Sequence, residues 1–145
     1  MATRRTCREW VVQILFQVDL NASENLEPLF KLFWKRRKSD RKAREFTESR
    51  VRGVLTHQTE IDSYIETLGA NWSLKRMGVI DRNVLRMAIY ELQHAEDVPP
   101  IVIINEAVDV AKYFSNSESG RFVNGVLDRA RQDLKRPLRR PAPQA

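Results

Sequence analysis

The sequence predicts an all-α protein, a helical bundle of two three-helix subdomains. Three observations carry that prediction. Apolar residues recur at the three-and-four spacing of amphipathic helices along most of the 145-residue chain. No segment alternates with period two for long enough to make a strand, and the one β-branched run, Ile101 to Ile104, follows Pro99 and Pro100, which make it an extended entry into a helix. Connections between the apolar patterns are short, which favours antiparallel neighbours.

Each element follows from its own pattern. Cys7, Trp10, Val11, Ile14, Leu15 and Val18 share one face of a first helix, which Asn21 and the Ala22–Ser23 step stop. Leu26, Leu29, Phe30, Phe33 and Trp34 make a second, with Pro28 tolerated in its first turn, and this helix runs into a basic block. A third, longer pattern uses Phe46, Val51, Val54, Leu55, Ile61, Ile65 and Leu68 and ends at Gly69. The stretch 71–78 reads as a connection in which Ser73 caps a short turn and Gly78 breaks.

The second half opens with Val84, Leu85, Ala88, Ile89 and Leu92, which fall within about 140° of arc at 100° per residue. That helix ends near Ala95, because Val98-Pro99-Pro100 forbids its continuation. Ile103, Ile104, Ala107, Val108 and Ala111 begin a fifth helix. Phe122, Val123, Val126, Leu127, Ala130 and Leu134 mark the last, with 115–119 as the loop between them. Residues 1–134 therefore form one helical domain with subdomains at about 3–70 and 71–134, and the basic, proline-rich stretch 135–145 is expected to be disordered.

Composition narrows function. A chain 42% hydrophobic and 30% charged folds around a core. One cysteine excludes an internal disulfide, and with only two histidines no metal centre is expected. No cofactor is expected either. No stretch reaches the roughly 18 apolar residues of a membrane helix. Arg4 and Arg5 before Trp10–Val18 mimic a signal peptide, but Gln13 and Gln17 interrupt the run, and a cytoplasmic protein is expected. The formal charge of +6 is uneven: residues 35–44 alone hold seven bases and one acid, with further basic clusters at Arg4, Arg5 and Arg8 and in the tail. Nucleic acid is the partner such patches suit.

The first helix carries the most specific signal. Arg4, Arg5 and Arg8 flank its apolar stripe, and Val12 and Phe16 continue that flank. Guanidiniums contact phosphates or stack on bases, and an exposed ring is a stacking platform, which is what single-stranded RNA recognition uses. The other reading is a solvated helix end with Phe16 covered by the second helix. The 35–44 block is either a phosphate-contacting patch or a plain solvated connection. Catalytic constellations are thin: Ser119 has no neighbouring base, His57 and His94 lie in separate halves, and Cys7 sits inside the apolar stripe as a buried thiol. The glycines at 53, 69, 78, 120 and 125 lack phosphate-loop spacing, so no enzyme activity is expected. Gly125, in mid-helix, suggests close backbone approach or a partner. Asn124 beside it suits a hydrogen bond to a neighbouring loop or to RNA.

A set of strings then resembles a family: Arg4-Arg5-Thr6-Cys7-Arg8-Glu9, Asn71-Trp72-Ser73-Leu74, Asp81-Arg82-Asn83-Val84-Leu85-Arg86, Tyr90-Glu91-Leu92, Asp97-Val98-Pro99, Ile104-Asn105-Glu106-Ala107-Val108 and Ser119-Gly120-Arg121-Phe122-Val123-Asn124-Gly125-Val126-Leu127-Asp128. They look like the NusB transcription antitermination family, over residues 4–20 and about 70–131. The resemblance implies two three-helix subdomains and a protein that binds boxA RNA of nascent ribosomal RNA transcripts together with the small-subunit ribosomal protein NusE. It also implies membership of an RNA polymerase antitermination complex. By position, Arg4, Arg5 and Arg8 match the arginine-rich start, Phe16 the RNA-side aromatic and Glu118 an acidic RNA-proximal loop position. Asp81, Arg82 and Arg86 match the NusE-facing region. Cys7 departs from the usual small residue, Phe16 lacks a hydroxyl, and 22–50 carries no recognised motif. The same helical module fronts an rRNA cytosine methyltransferase family, whose S-adenosylmethionine domain 145 residues cannot also hold; a stand-alone module of that kind is the alternative.

Overall fold

A computed structural model describes residues 2–21, 25–69 and 73–143, and every regular element among them is helical. The helices are α1 (Arg4–Leu20), α2 (Leu26–Lys35), α3 (Arg41–Thr56), α4 (Gln58–Leu68), α5 (Val79–His94), α6 (Pro100–Phe114) and α7 (Ser117–Gln132), with a single 3₁₀ turn at Leu74–Arg76. Their ends follow local chemistry. Thr3 accepts from the Thr6 amide at 3.0 Å, Asp40 from Ala43 at 2.8 Å and Asn116 from Ser119 at 2.9 Å, each satisfying an orphan amide of a first turn. Pro100 opens α6, where its missing N–H costs nothing.

Three boundaries differ from the sequence expectation. The long third pattern is two helices, α3 and α4, broken at His57 with φ −105° and ψ 14°. Val54 and Ile61 are seven residues apart, so the apolar face keeps its phase across the break and the periodicity hides it. The first half thus has four helices. The 115–119 loop is shorter than expected, since Asn116 caps α7 and Ser117 already belongs to it. Chain 133–143, expected as mostly disordered tail, lies against the α5–α6 connection: the Ile101 amide donates to Leu138 at 2.9 Å and the Ala142 amide to Glu96 at 2.8 Å. The Ala22–Ser23 stop and the subdomain boundary at 70–71 fall outside the described residues.

α5 is the central helix, packed by α1, α3, α4, α6 and α7, and one buried cluster runs from Val11 to Ala130 through Leu85 and Ile89. A helix covered on all sides buries its polar residues too. Asn83, Arg86 and Glu91 of α5 are all buried, so each needs a partner from a neighbour. Those partners fix how α1 sits in the bundle. Close approach is read at Gly53, where a Cβ would meet the Tyr90 ring at 2.1 Å. Gly125 is the reverse case: a Cβ there meets nothing within 4 Å, so neighbouring backbone within this chain does not explain it.

Candidate nucleic-acid interface

The arginine-rich start of α1 divides by depth. Arg4 is exposed, its guanidinium 4.3 Å from the centroid of the Phe46 ring, which Arg50 also covers at 4.0 Å. Arg5 is half-exposed and reaches α6, where its Nε donates to Glu106 and its Nη2 to Asp109 at 2.8 Å. The Glu106 hydrogen bond holds the Arg5 guanidinium above its ordinary pKa, with burial opposing.

Arg8 does not belong to the surface set. Its side chain is 3% exposed and lies against a Glu91 carboxylate that is 1% exposed. Nε donates to Oε1 at 2.8 Å and Nη2 to Oε2 at 2.7 Å, a bidentate pair from α1 to α5. Glu106 adds a contact at 3.6 Å. Val12, placed on the same flank by sequence, is fully buried. The reason is phase: Arg8 stands seven residues before Leu15 and four before Val12, on the buried face and not beside it. Arg8 cannot touch RNA while the bundle is closed, and the basic face reduces to Arg4 and Arg5.

Phe16 is neither free in solvent nor wholly covered by α2. It lines an open groove of about 680 Å³ with Val12, Leu29, Leu32, Phe33, Ile80 and Phe114, rimmed by Arg36 and Arg37. The Arg37 guanidinium lies 3.7 Å from the Phe33 ring centroid and donates to Gln13 at 3.1 Å. Burial, helped by the charge of Arg36, pushes Arg37 below the usual arginine range. The 35–44 block is therefore not one patch: Lys35 ends α2, Asp40 caps α3, and Arg41 onward belongs to α3. Arg36 and Arg37 are what it contributes to the groove.

Arg5 and Phe16 are eleven residues apart, so they share a helix face within about 20° and stand roughly 16 Å apart along it. Both border α6, Arg5 at Glu106 and Asp109 and Phe16 at Phe114. Glu118 is exposed in the first turn of α7, just past the end of α6, and so in a helix and not in a loop. The α1–α6 seam thus runs from Arg5 past Phe16 toward Glu118. Two aromatic residues on α6 escaped the sequence reading: Phe114 in the groove, and Tyr113, 66% exposed beside it at 5.0 Å between ring centroids. Their signal was an aromatic pair at a helix end, one member of which had to face out.

The residues at the start of α5 are mostly turned inward. Arg86, its side chain 8% exposed, donates to Asp62 of α4 at 2.8 and 3.0 Å and to Asp19 of α1 at 3.2 Å. It is an internal tie and not a partner-facing residue. Sequence placed it opposite the Val84 stripe without the acids that cover it. Arg82 donates to Asp19 at 2.7 Å and keeps one edge in solvent. Burial raises the Asp19 carboxyl, but the hydrogen bond from Arg82 and the charge of Arg86 outweigh it and hold the group below the ordinary aspartate range. Asp81 sits in the first turn behind the cap residue Gly78, with one oxygen buried and unpartnered. Burial pushes its pKa up, against a smaller opposing effect of Ser119.

Cys7 is fully buried and burial raises its thiol pKa, which leaves it an inert core residue. Among the described residues no cluster of three or more metal-ligating side chains occurs, and no helix is long and apolar enough to cross a membrane.

Comparison with known proteins fits this geometry. The NusB family model matches residues 5–132. The transcription antitermination protein NusB of Myxococcus xanthus is 44% identical over 140 residues, spanning 94% of this chain and 100% of that one. The solved structure of T. maritima NusB is 37% identical with a TM-score of 0.81, covering 91% of this chain and 92% of that one. A chain of the crystal structure of antitermination factors NusB and NusE in complex with double-stranded RNA is 30% identical with a TM-score of 0.81, covering 90% and 97%.

Proposed function

The chain belongs to the NusB family, and on that premise we propose that this antitermination factor binds boxA RNA of nascent ribosomal RNA transcripts together with NusE, in the cytoplasm, as part of an RNA polymerase antitermination complex. The observation that carries the RNA reading is the α1–α6 seam, with guanidiniums at one end and an aromatic groove with a basic rim further along. Arg4 and Arg5 supply phosphate contacts and the counterion release that follows from them. Phe16 and its aromatic neighbours offer base stacking, worth about 1–3 kcal/mol per base, and the Arg36 and Arg37 rim suits the backbone of the same strand. Glu118 repels a phosphate and accepts from a base amino group, so it favours one register of the strand.

Arg8 acts from inside. Its pair with Glu91 fixes α1 on α5 and so sets where Arg4 and Arg5 stand. For NusE the start of α5 is proposed, with Asp81 and Arg82 at the surface and Arg86 holding the helix from within. The function is recognition, and no reaction is assigned. The test is a titration of labelled boxA RNA and a scrambled control, each with and without NusE. Tighter binding of boxA, strengthened by NusE, is expected; equal affinity for both RNAs in both conditions would overturn the reading.

A further inference from the structure

We propose that Asp109 is a built-in competitor for RNA phosphate at Arg5, so that the wild-type α1–α6 seam binds RNA more weakly and with a shallower salt dependence than its arginines allow. The proposal rests on the RNA reading above and assigns a role to a residue outside that reading. Two carboxylates hold the Arg5 guanidinium and they differ in kind. Glu106 takes the Nε edge, is 16% exposed, and is shared with buried Arg8 at 3.6 Å. Asp109 takes Nη2 at 2.8 Å and is 45% exposed, on the solvent side of the same helix.

Glu106 therefore positions the guanidinium, while Asp109 occupies the direction from which a phosphate oxygen would arrive. A phosphate reaching Arg5 must displace Asp109. The displaced carboxylate then stays beside the strand as an unpaired negative charge. Glu9 adds to this field: burial raises its carboxyl pKa, with Glu106 pushing the same way and Arg5 opposing. Arg5 thus works as a partly neutralised cation in the free protein. The pair is exposed enough to exchange, and its strength is that of an exposed ion pair, which sets the size of the effect.

The experiment titrates the full chain with single-stranded boxA RNA across a salt series, comparing wild type, Asp109→Asn and Glu66→Gln. Glu66 is an exposed residue on α4, so its variant matches the change in net charge away from the seam. Asp109→Asn is expected to bind roughly two- to five-fold tighter at low salt. The slope of log affinity against log salt should steepen by roughly 0.7, one single-strand phosphate contact. Glu66→Gln should leave both unchanged. Unchanged affinity and slope for Asp109→Asn, with wild type binding RNA, would overturn the competitor role alone. An equal gain in Glu66→Gln would also overturn it, as a net-charge effect. Failure of every variant to bind boxA RNA at low salt would instead overturn the RNA reading itself. Thermal melting of each variant separates a folding defect from a binding effect, and Asp109→Glu, which restores the charge, should return the wild-type slope.

Discussion

Replacing Arg8 with alanine should cost about 3–5 kcal/mol of folding stability, because it strips the partner from a carboxylate that has almost no contact with water. The bidentate bonds at 2.8 and 2.7 Å disappear, and the nearest remaining cation on Glu91 is Arg50 at 3.7 Å. For a chain of this size each kcal/mol moves the midpoint by about 2–4 °C, so the melting temperature should fall by roughly 6–20 °C. Glu91→Ala should do comparable damage from the other side. Replacing both with apolar residues of similar volume, Arg8→Met with Glu91→Leu, should recover most of the loss, since neither charge is then left buried alone. Arg8→Glu would be worse than alanine, as it sets two carboxylates together in the core. The assay is urea or thermal unfolding of the four proteins as a double-mutant cycle. Near-wild-type stability of Arg8→Ala would refute the buried pair, and would return Arg8 to the surface set.

Two further outcomes test the packing and the charge network. Gly53→Ala forces the Tyr90 ring out of its stack with His94 and should destabilise by about 1–3 kcal/mol, whereas Gly125→Ala meets open space and should stabilise by about 1 kcal/mol; chemical denaturation reads both. Asp19, held below its ordinary pKa, stabilises the fold fully above the unfolded value near 3.8 and loses that contribution as pH falls through the lower folded value. Asp81, pushed above its ordinary pKa, opposes folding at neutral pH and is relieved as pH falls through its raised value. At pH 7 Asp19→Asn should therefore destabilise by about 1–3 kcal/mol, and Asp81→Asn should be neutral or stabilising, as followed by unfolding across a pH series.

How far the sequence spoke depended on the kind of signal. Helix faces were legible because burial of Val11, Ile14, Leu85, Ile89 and Leu127 leaves a periodic trace. The break at His57 was not, because the seven-residue step from Val54 to Ile61 preserves that trace. Charged residues were the main source of error. Arg8 and Glu91 each fall in phase with apolar neighbours, Arg8 with Val12 and Leu15 and Glu91 with Val84 and Ala88, and two opposite charges in apolar phase on different helices mark a buried pair. Arg86 gave no such sign, since α5 is covered on every side and its acidic partners come from α1 and α4. The groove depends on five separate stretches of chain converging on Phe16, and only Phe16 itself was visible in advance. The tail of 135–145 lacks periodicity because its contacts are backbone hydrogen bonds from Leu138 and Ala142, which leave no side-chain pattern.

The measurement that bears most directly on the central claim is boxA RNA binding by the variant Arg4→Glu with Arg5→Glu, after melting has shown it folded. Both side chains keep substantial solvent contact, so folding should change little, while two phosphate-attracting charges become repulsive. The expected result is a loss of at least about ten-fold in boxA affinity at low salt, with the salt slope reduced by roughly 1.4 for two lost contacts. Wild-type affinity and slope in the folded variant would contradict the account, because the RNA would then have to bind a surface other than the α1–α6 seam.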